Sequence, residues 1–485
     1  MSKEVRNLEP KELWNNFADL NAVPRGSKKE EKVIQFMVDF GNKLNLKTVV
    51  DPVGNVIIKK PASKGMENLK TVVMQSHLDM VHQKNSDTNF DFDTEGIKMV
   101  IDGDWVKADG TTLGADNGLG VAAIMSVLAS SEIKHPAIEA LFTIDEETGM
   151  TGAMGLQAGY LDGEILLNLD TEEDDEIDIG CAGGVDVSAL NSYNEVNAPS
   201  NSVSLKIAVT GLNGGHSGMD IDKGLGNANK IMNRILYANQ EYIRISEING
   251  GGLRNAIPRE SFSKVTVYNS NKTLFERTFK KIAKEIQKEF KTTEPNLEIS
   301  YERIDDIKKV MTTISQITLL NTVYSAYNGV YTMSPDMENL VETSNNVARV
   351  LVKDEKIEIM CLTRSSVESS KVDLANSLKS TFELAGYAVN LSGSYPGWKP
   401  NVDSPILKTM TKTYEELFNS KPHVVACHAG LECGILGTNY PEMDMISFGP
   451  TIQGAHSPDE RANIKSAKKF WKFLLTTLEN IPAKK

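Results

Sequence analysis

Four apolar runs of strand length in this chain lead into ionisable residues. TVVM runs into QSHLD (71–79), ALFTI into DEE (140–147), EILLN into LDTE (164–172), and DMISFGP (444–450) towards AHSPDE (455–460). Runs of this length, rich in Val, Ile, Leu and Phe, read as buried strands. Helix-like segments lie between them. KKEEKVIQFMVDFGNKL follows Ser27 with apolar residues at helical spacing, and Ser27 with Glu30 makes the S-x-x-E pattern of a capping box. LKTVV and NVIIKK flank DPVG as a hairpin. GTTLGADNGLGVAAIMSVLAS (110–130) reads as a Gly-rich loop feeding a small-residue helix, and the stretch before it reads only as polar. Strands alternating with helices predict an α/β layered domain around a largely parallel sheet. In such sheets ligands bind beyond the carboxyl ends of the strands, where these acids and histidines fall.

From about residue 185 the pattern changes to alternating strands and amphipathic helices. NSVSLKIAVT, GLGNANKIMNRILYANQ, LFERTFKKIAKEIQKEF and the hairpin RVLVKDEKIEIMCLT come first, followed by SSKVDLANSLKSTFELAG and YAVNLSG. Hairpin–helix–strand thus occurs twice, without an aligned sequence repeat. After PGWKPN the α/β texture returns. A chain of 485 residues is too long for one core. The expected arrangement is a catalytic α/β domain built from 1–184 and 399–485, with an α+β domain, 185–398, inserted between them.

A net charge of −13, with no Lys/Arg cluster interleaved with aromatics, argues against nucleic acid. No stretch approaches the roughly 18 apolar residues of a membrane span. MSKEVRNLEPKELW lacks the apolar region of a secretory signal, and four cysteines in so long a chain make no disulfide framework, so a cytoplasmic protein is expected.

Imidazole and carboxylate without thiolate suit zinc or a hard divalent ion. His77 and Asp79 lie on one face of a strand, so His77 can ligate through one ring nitrogen while Asp79 accepts a hydrogen bond from the other. Glu146 and Glu147 are adjacent and can face one site only where the chain turns. Two divalent ions would balance Asp116, Glu147, Asp170 and one hydroxide, whereas a single ion would leave the acids in excess. Each motif alone has a plainer reading: HxD as a polar pair, DEE as a solvated loop, LGADNG as a turn and helix cap. Their occurrence together, in order, favours a metal site.

SHLDMV, GTTLGADNGLGVA, FTIDEETGMTGA, NLDTE, GGHSG and the late AHSPDE together closely resemble the aminoacyl-histidine (Xaa-His) dipeptidases, carnosine-hydrolysing enzymes of the di-zinc dipeptidase/carboxypeptidase superfamily. The resemblance covers essentially the whole chain. It implies a di-zinc exopeptidase-like catalytic domain interrupted by a lid domain, and hydrolysis of Xaa-His and other dipeptides by a metal-bridging water. By motif match, His77 and Asp170 would hold one zinc, Glu147 and His456 the other, and Asp116 would bridge them. Asp79 would orient His77 and Glu146 would be the general base. A cis peptide would follow Asp116. Cobalt or manganese could use the same ligands. His216 in GGHSG would help stabilise the oxyanion, Asn255 in GLRNAIPRE would help bind substrate, and Arg364 in MCLTRSS could clamp a free carboxylate bidentately. A homodimer is expected.

CHAGLEC (427–433) offers two cysteines, a histidine and a glutamate, but its cysteine spacing is not that of a structural zinc site. It reads as a Gly-containing loop opening a helix near the active site. The rivals are a related di-metal carboxypeptidase, tripeptidase or N-deacylase, a metal-free binding protein on the same scaffold, and a thiol hydrolase built on Cys427 and His428. Asp170 favours a peptidase acting near a free amine, because relatives with carboxypeptidase or deacylase activity tend to carry Glu there. A metal-free protein predicts a lost ligand, whereas every position is filled. The thiol enzyme lacks an orienting carboxylate.

Overall fold

TVVM lies at the heart of an eight-stranded sheet in the computed structural model, which describes residues 3–484. Its strand, Val72–His77, is buried at every position, as are Ile138–Thr143 and Ile165–Asn168. Strands that are apolar without alternation need cover on both faces, the mark of a parallel sheet between helices. Across the sheet the order is Lys47–Val50, Val56–Lys60, Ile138–Thr143, Val72–His77, Ile165–Asn168, Asp444–Ser447, Glu176–Cys181 and His423–Cys427. The four strands from Ile138–Thr143 to Asp444–Ser447 are parallel, and the 47–60 hairpin pairs antiparallel beside them. His77 lies opposite Thr143, and Asn168 opposite both Gln75 and Ser447. The carboxyl ends of all four strands therefore open on one rim.

The helix Ala115–Ala129 is buried almost all round and packs against Val72–His77. Its small residues allow this: a Cβ on Gly120 would come within 2.4 Å of Ser76 Oγ and 2.7 Å of the Leu169 carbonyl oxygen. The stretch that reads only as polar contains a hairpin, Met99–Asp102 with Trp105–Ala108. This hairpin joins Ile452–Gln453 and Arg461–Asn463 in a four-stranded antiparallel sheet, so residues 454–460 form the loop of a second hairpin. The expected capping box at Ser27 and Glu30 does not form. The helix begins at Glu31 without a side-chain cap, and both side chains are engaged elsewhere.

These elements belong to a unit comprising Met1–Gly180, Pro400–Ala426 and Leu431–Lys485. A second unit, Cys181–Lys399 with Cys427–Gly430, is built on a nine-stranded sheet. Its strand order is Glu298–Arg303, Ser202–Thr210, Ser261–Tyr268, Ile243–Gly251, Val341–Lys353, Lys356–Ser365, Gly183–Ser192 and Ala388–Tyr395, with Gly329–Met333 paired to Val341–Lys353. All these pairings are antiparallel. Alternation places Leu205, Ile207 and Val209 of one strand in a core shared with Phe275, Phe279, Leu374, Leu378 and Phe382 of two helices. Hairpin–helix–strand occurs twice here, through Lys272–Glu289 to Glu298–Arg303 and through Glu368–Leu384 to Ala388–Tyr395. Each copy's last strand forms an outer edge. No disulfide forms, and among the described residues no helix is long and apolar enough to cross a membrane.

Candidate active site

Four loops converge at the carboxyl ends of the parallel strands. His77 closes its strand; the Ile138–Thr143 strand ends just before Asp145, whose φ of 52° turns the chain into a single helical turn, Glu146–Gly149. That turn lets both glutamates face the rim. Asp116 opens the buried helix, and the bond to Asn117 is a cis peptide. Two triads result, His77–Asp116–Asp170 and Asp116–Glu147–His456, sharing Asp116. His77 Nε2 is 3.1 Å from Asp116 Oδ1 and 3.6 Å from Asp170 Oδ1. His456 Nε2 is 3.1 Å from Asp116 Oδ2 and 2.9 Å from Glu147 Oε2. Glu146 groups with His77 and Glu147.

Asp79 lies beside His77, but the nearest contact is to its main chain: His77 Nδ1 is 3.0 Å from the Asp79 carbonyl oxygen and 3.5 Å from the carboxylate. The carboxylate accepts hydrogen bonds from Ser27 Oγ (2.8 Å) and from the backbone N–H groups of Glu146 (3.0 Å) and Glu147 (3.3 Å). Asp79 therefore holds the turn that presents both glutamates. Glu30, the other residue of the capping-box pattern, accepts from the Asp145 N–H (3.1 Å) on the same turn.

The charges are unbalanced. Burial opposes charge on His77, yet Asp170, Asp116 and Asp79 outweigh it and hold its imidazole well above the usual value. Hydrogen bonds with Asp116 and Glu147 raise His456 to about 11. Burial and neighbouring acids push Asp170 up to about 7 and Glu146 well above the usual carboxyl range. Asp116 goes the other way: burial would raise it, but both imidazoles keep it low. Glu147 Oε1 is buried without a hydrogen-bond partner. Oxygen and imidazole donors with more negative charge than their own cations offset fit divalent metal ions.

Two supporting residues lie in segments that stand out in the sequence, though nothing there assigns either a role. Asn117 donates to the Asp170 carboxylate and to the Leu169 carbonyl oxygen. Glu432, from the segment CHAGLEC, is fully buried and accepts from Gln75 Nε2 (2.6 Å) and Thr143 Oγ1 (2.7 Å), while Oε1 has no partner. Burial raises it to about 7. The expected helix after this segment is Glu432–Asn439.

In the second unit, Arg364 ends its strand region buried, with uncharged partners: Nε donates to Ser217 Oγ (3.3 Å), Nη1 to Tyr395 Oη (2.8 Å), and Nη2 lies 3.4 Å from His216 Nε2. His216 Nδ1 accepts from the N–H groups of Gly218 and Met219. Burial and Arg364 lower its pKa. His428 lies 2.7 Å through Nε2 from Ser344 Oγ, and Ser344 is the cross-strand partner of Arg364. Burial, Arg364 and His216 push His428 down to about 3. Asn255 is exposed, and its carbonyl oxygen accepts from the Ser217 N–H (2.8 Å).

Residues 73–480 match the peptidase family M20/M25/M40. The cytosol non-specific dipeptidase of Escherichia coli (strain K12) is 42% identical over 483 residues, covering 99% of this chain and 100% of that protein. The crystal structure of aminoacylhistidine dipeptidase from Vibrio alginolyticus matches with a TM-score of 0.94 at 43% identity, covering 100% of this chain and 99% of the other. Aminopeptidase PepT from Bacillus cereus ATCC 10987, at TM-score 0.58 and 15% identity over 98% of this chain and 99% of its own, shares the fold. The family implies metal dependence, in keeping with the donor set at the rim. With its motifs, its two-triad rim and its full-length match to such proteins, the chain belongs to the M20/M25/M40 family of peptidases.

Proposed function

We propose that the protein is a di-zinc dipeptidase that hydrolyses Xaa-His dipeptides, β-Ala-His included, together with other dipeptides. The observation that carries this reading is the pair of imidazole–carboxylate triads sharing Asp116, with Glu146 beside them. The likeness to the Escherichia coli non-specific dipeptidase and the Vibrio alginolyticus aminoacylhistidine dipeptidase supports the substrate class. His77 and Asp170 would hold one ion, Glu147 and His456 the other, and Asp116 both. Zinc, replaceable by cobalt or manganese, would lower the pKa of water and polarise the scissile carbonyl.

The chain's own groups do the rest. Asp79 and the His77 ring hold each other and, through the backbone of Glu146 and Glu147, aim both acids. Glu146 takes the proton of the attacking water and delivers it to the leaving nitrogen. Arg364, a buried guanidinium with uncharged partners, would bind the substrate's terminal carboxylate. His216 would donate from Nε2 to the oxyanion, and Asn255 would add a polar contact to the substrate. In this reading the inserted unit acts as a lid, the protein works in the cytoplasm, and it associates as a homodimer.

The test is hydrolysis of β-Ala-His and a panel of Xaa-His and Xaa-Leu dipeptides after chelation and zinc add-back, with Glu146→Ala alongside. Cleavage restored by zinc and lost in the variant, with bound zinc retained, is expected; the loss should be on the order of 10²–10⁴-fold. No cleavage of any dipeptide despite two bound ions per chain would redirect the search to acylated amino acids and longer peptides.

A further inference from the structure

Two buried side chains outside the donor set grip the main chain that carries it. Glu460, 2% exposed, accepts hydrogen bonds from four consecutive backbone N–H groups. Oε2 takes those of Leu113 (2.7 Å) and Gly114 (2.8 Å), and Oε1 those of Ala115 (2.7 Å) and Asp116 (3.2 Å). Arg25, 1% exposed, donates through Nη1 to the carbonyl oxygens of Leu78 and Asp79, both at 3.0 Å. Its Nη2 reaches the Gly114 carbonyl oxygen (2.5 Å) and Asn21 Oδ1 (3.2 Å). The loop is cut to fit: Gly114 has φ of +71°, and a Cβ there would lie 2.4 Å from Arg25 Nη2. Gly118 clears the same guanidinium, with a Cβ at 2.7 Å.

Burying a guanidinium and a carboxylate is costly unless partners offset it; each side chain makes four hydrogen bonds, and Arg25 Nε alone is left without one. Here the partners are the backbone of the loops that bear His77, Asp79 and Asp116, and Glu460 itself lies four residues beyond His456 in one hairpin loop. We propose that Arg25 and Glu460 are positioning residues that set the spacing of the cation ligands. Arg25 ties the His77–Asp79 loop to the Asp116 loop, and Glu460 ties the Asp116 loop to the His456 loop. This rests on the di-metal reading above and adds a division of labour to it. Both hold the loop of the shared Asp116, but Arg25 alone grips the loop of His77, a member of one triad only, and Glu460 alone shares a loop with His456, a member only of the other.

Glu460→Gln keeps the shape but turns an amide NH₂ towards two N–H donors. Arg25→Lys keeps the charge, but one ammonium cannot span the carbonyls of both loops. The experiment is titration of the full-length metal-free protein with Co²⁺, followed by visible absorption and calorimetry, with thermal melts of the metal-free forms. The unaltered protein is expected to bind two ions. Glu460→Gln is expected to bind one ion normally and the second about 10–100-fold more weakly, the usual range for a residue that supports a ligand. In a His456→Ala background, where the His77 triad alone remains, Glu460→Gln should change Co²⁺ affinity less than about twofold and Arg25→Lys should lower it about tenfold or more. Both ions bound at unaltered affinity, both weakened equally, or metal-free variants that no longer fold would each overturn the proposal, since a purely structural pair would give no site-by-site difference. If the unaltered protein binds no divalent ion, the di-metal reading itself fails, and the proposal with it.

Discussion

Two clusters of ionisable groups, one in each unit, treat the same side chain in opposite ways. In the first unit acids crowd His77 and His456, and His456 is raised to about 11. In the second, Arg364 and burial crowd His216 and His428, and His428 falls to about 3. The imidazole is the same; the sign of the surrounding charge decides. One cluster has gathered more negative charge than its own groups balance and suits cations. The other keeps two imidazoles of lowered pKa beside a guanidinium whose hydrogen-bond partners are uncharged, and suits an anion.

The sharpest test of this contrast is proton release. Near pH 7 His77 and His456 hold protons, and Asp170, raised to about 7, holds part of one, so zinc uptake by the metal-free protein should release at least two protons per chain and tighten steeply as pH rises. Calorimetry in buffers of different ionisation enthalpy counts them; a count of zero would mean that the acids do not hold these imidazoles protonated. A smaller effect is expected in the second unit. Arg364→Lys should lower kcat/KM for dipeptides about 30-fold, as lost charged hydrogen bonds of about 2 kcal/mol would. The preference for a dipeptide over its C-terminal amide should collapse with it, and a preference that survives would break the carboxylate assignment.

The smallest effect is on stability. His428 binds its proton near pH 3 when folded but near pH 6.5 when unfolded, so between those values the unfolded chain holds the extra proton and stability falls as pH falls. At pH 5.5 the deficit is about 1.4 kcal/mol, and it vanishes above about pH 7.5. Denaturant unfolding of His428→Gln should show a shallower loss of stability from pH 7.5 to 5.5 than the unaltered protein. Parallel curves would mean that the imidazole titrates normally.

What could be read from the sequence follows the same physics. HxD, DEE and LDTE stood out because a fully apolar strand that ends in charge has few structural reasons to do so, and the parallel register then brought those ends together unaided. Local patterns misled where tertiary partners competed. Ser27 and Glu30 look like a helix cap, yet their oxygens serve Asp79 and the Asp145 turn. Arg25 and Glu460 were invisible because they bind main chain, which leaves no pattern in residue type, across separations of 53 to 89 and 344 to 347 residues. The 99–108 hairpin was missed because its strands are only four residues long in polar surroundings.

The mirrored strand order of the nine-stranded sheet has a further consequence. Its two hairpin–helix–strand copies meet at Ile243–Gly251 and Val341–Lys353, which run antiparallel, so one copy is inverted relative to the other. At the rim where His216, Asn255, Ser344 and Arg364 gather, the first copy offers the connection between its paired strands and the second offers their open ends. An internal two-fold therefore presents unlike surfaces at each rim. Any asymmetric ligand held there meets two different chemistries made from one repeated plan, and the two ends are tied together, since Asn346 of the second copy donates to the Arg254 and Ala256 carbonyl oxygens in the connection of the first.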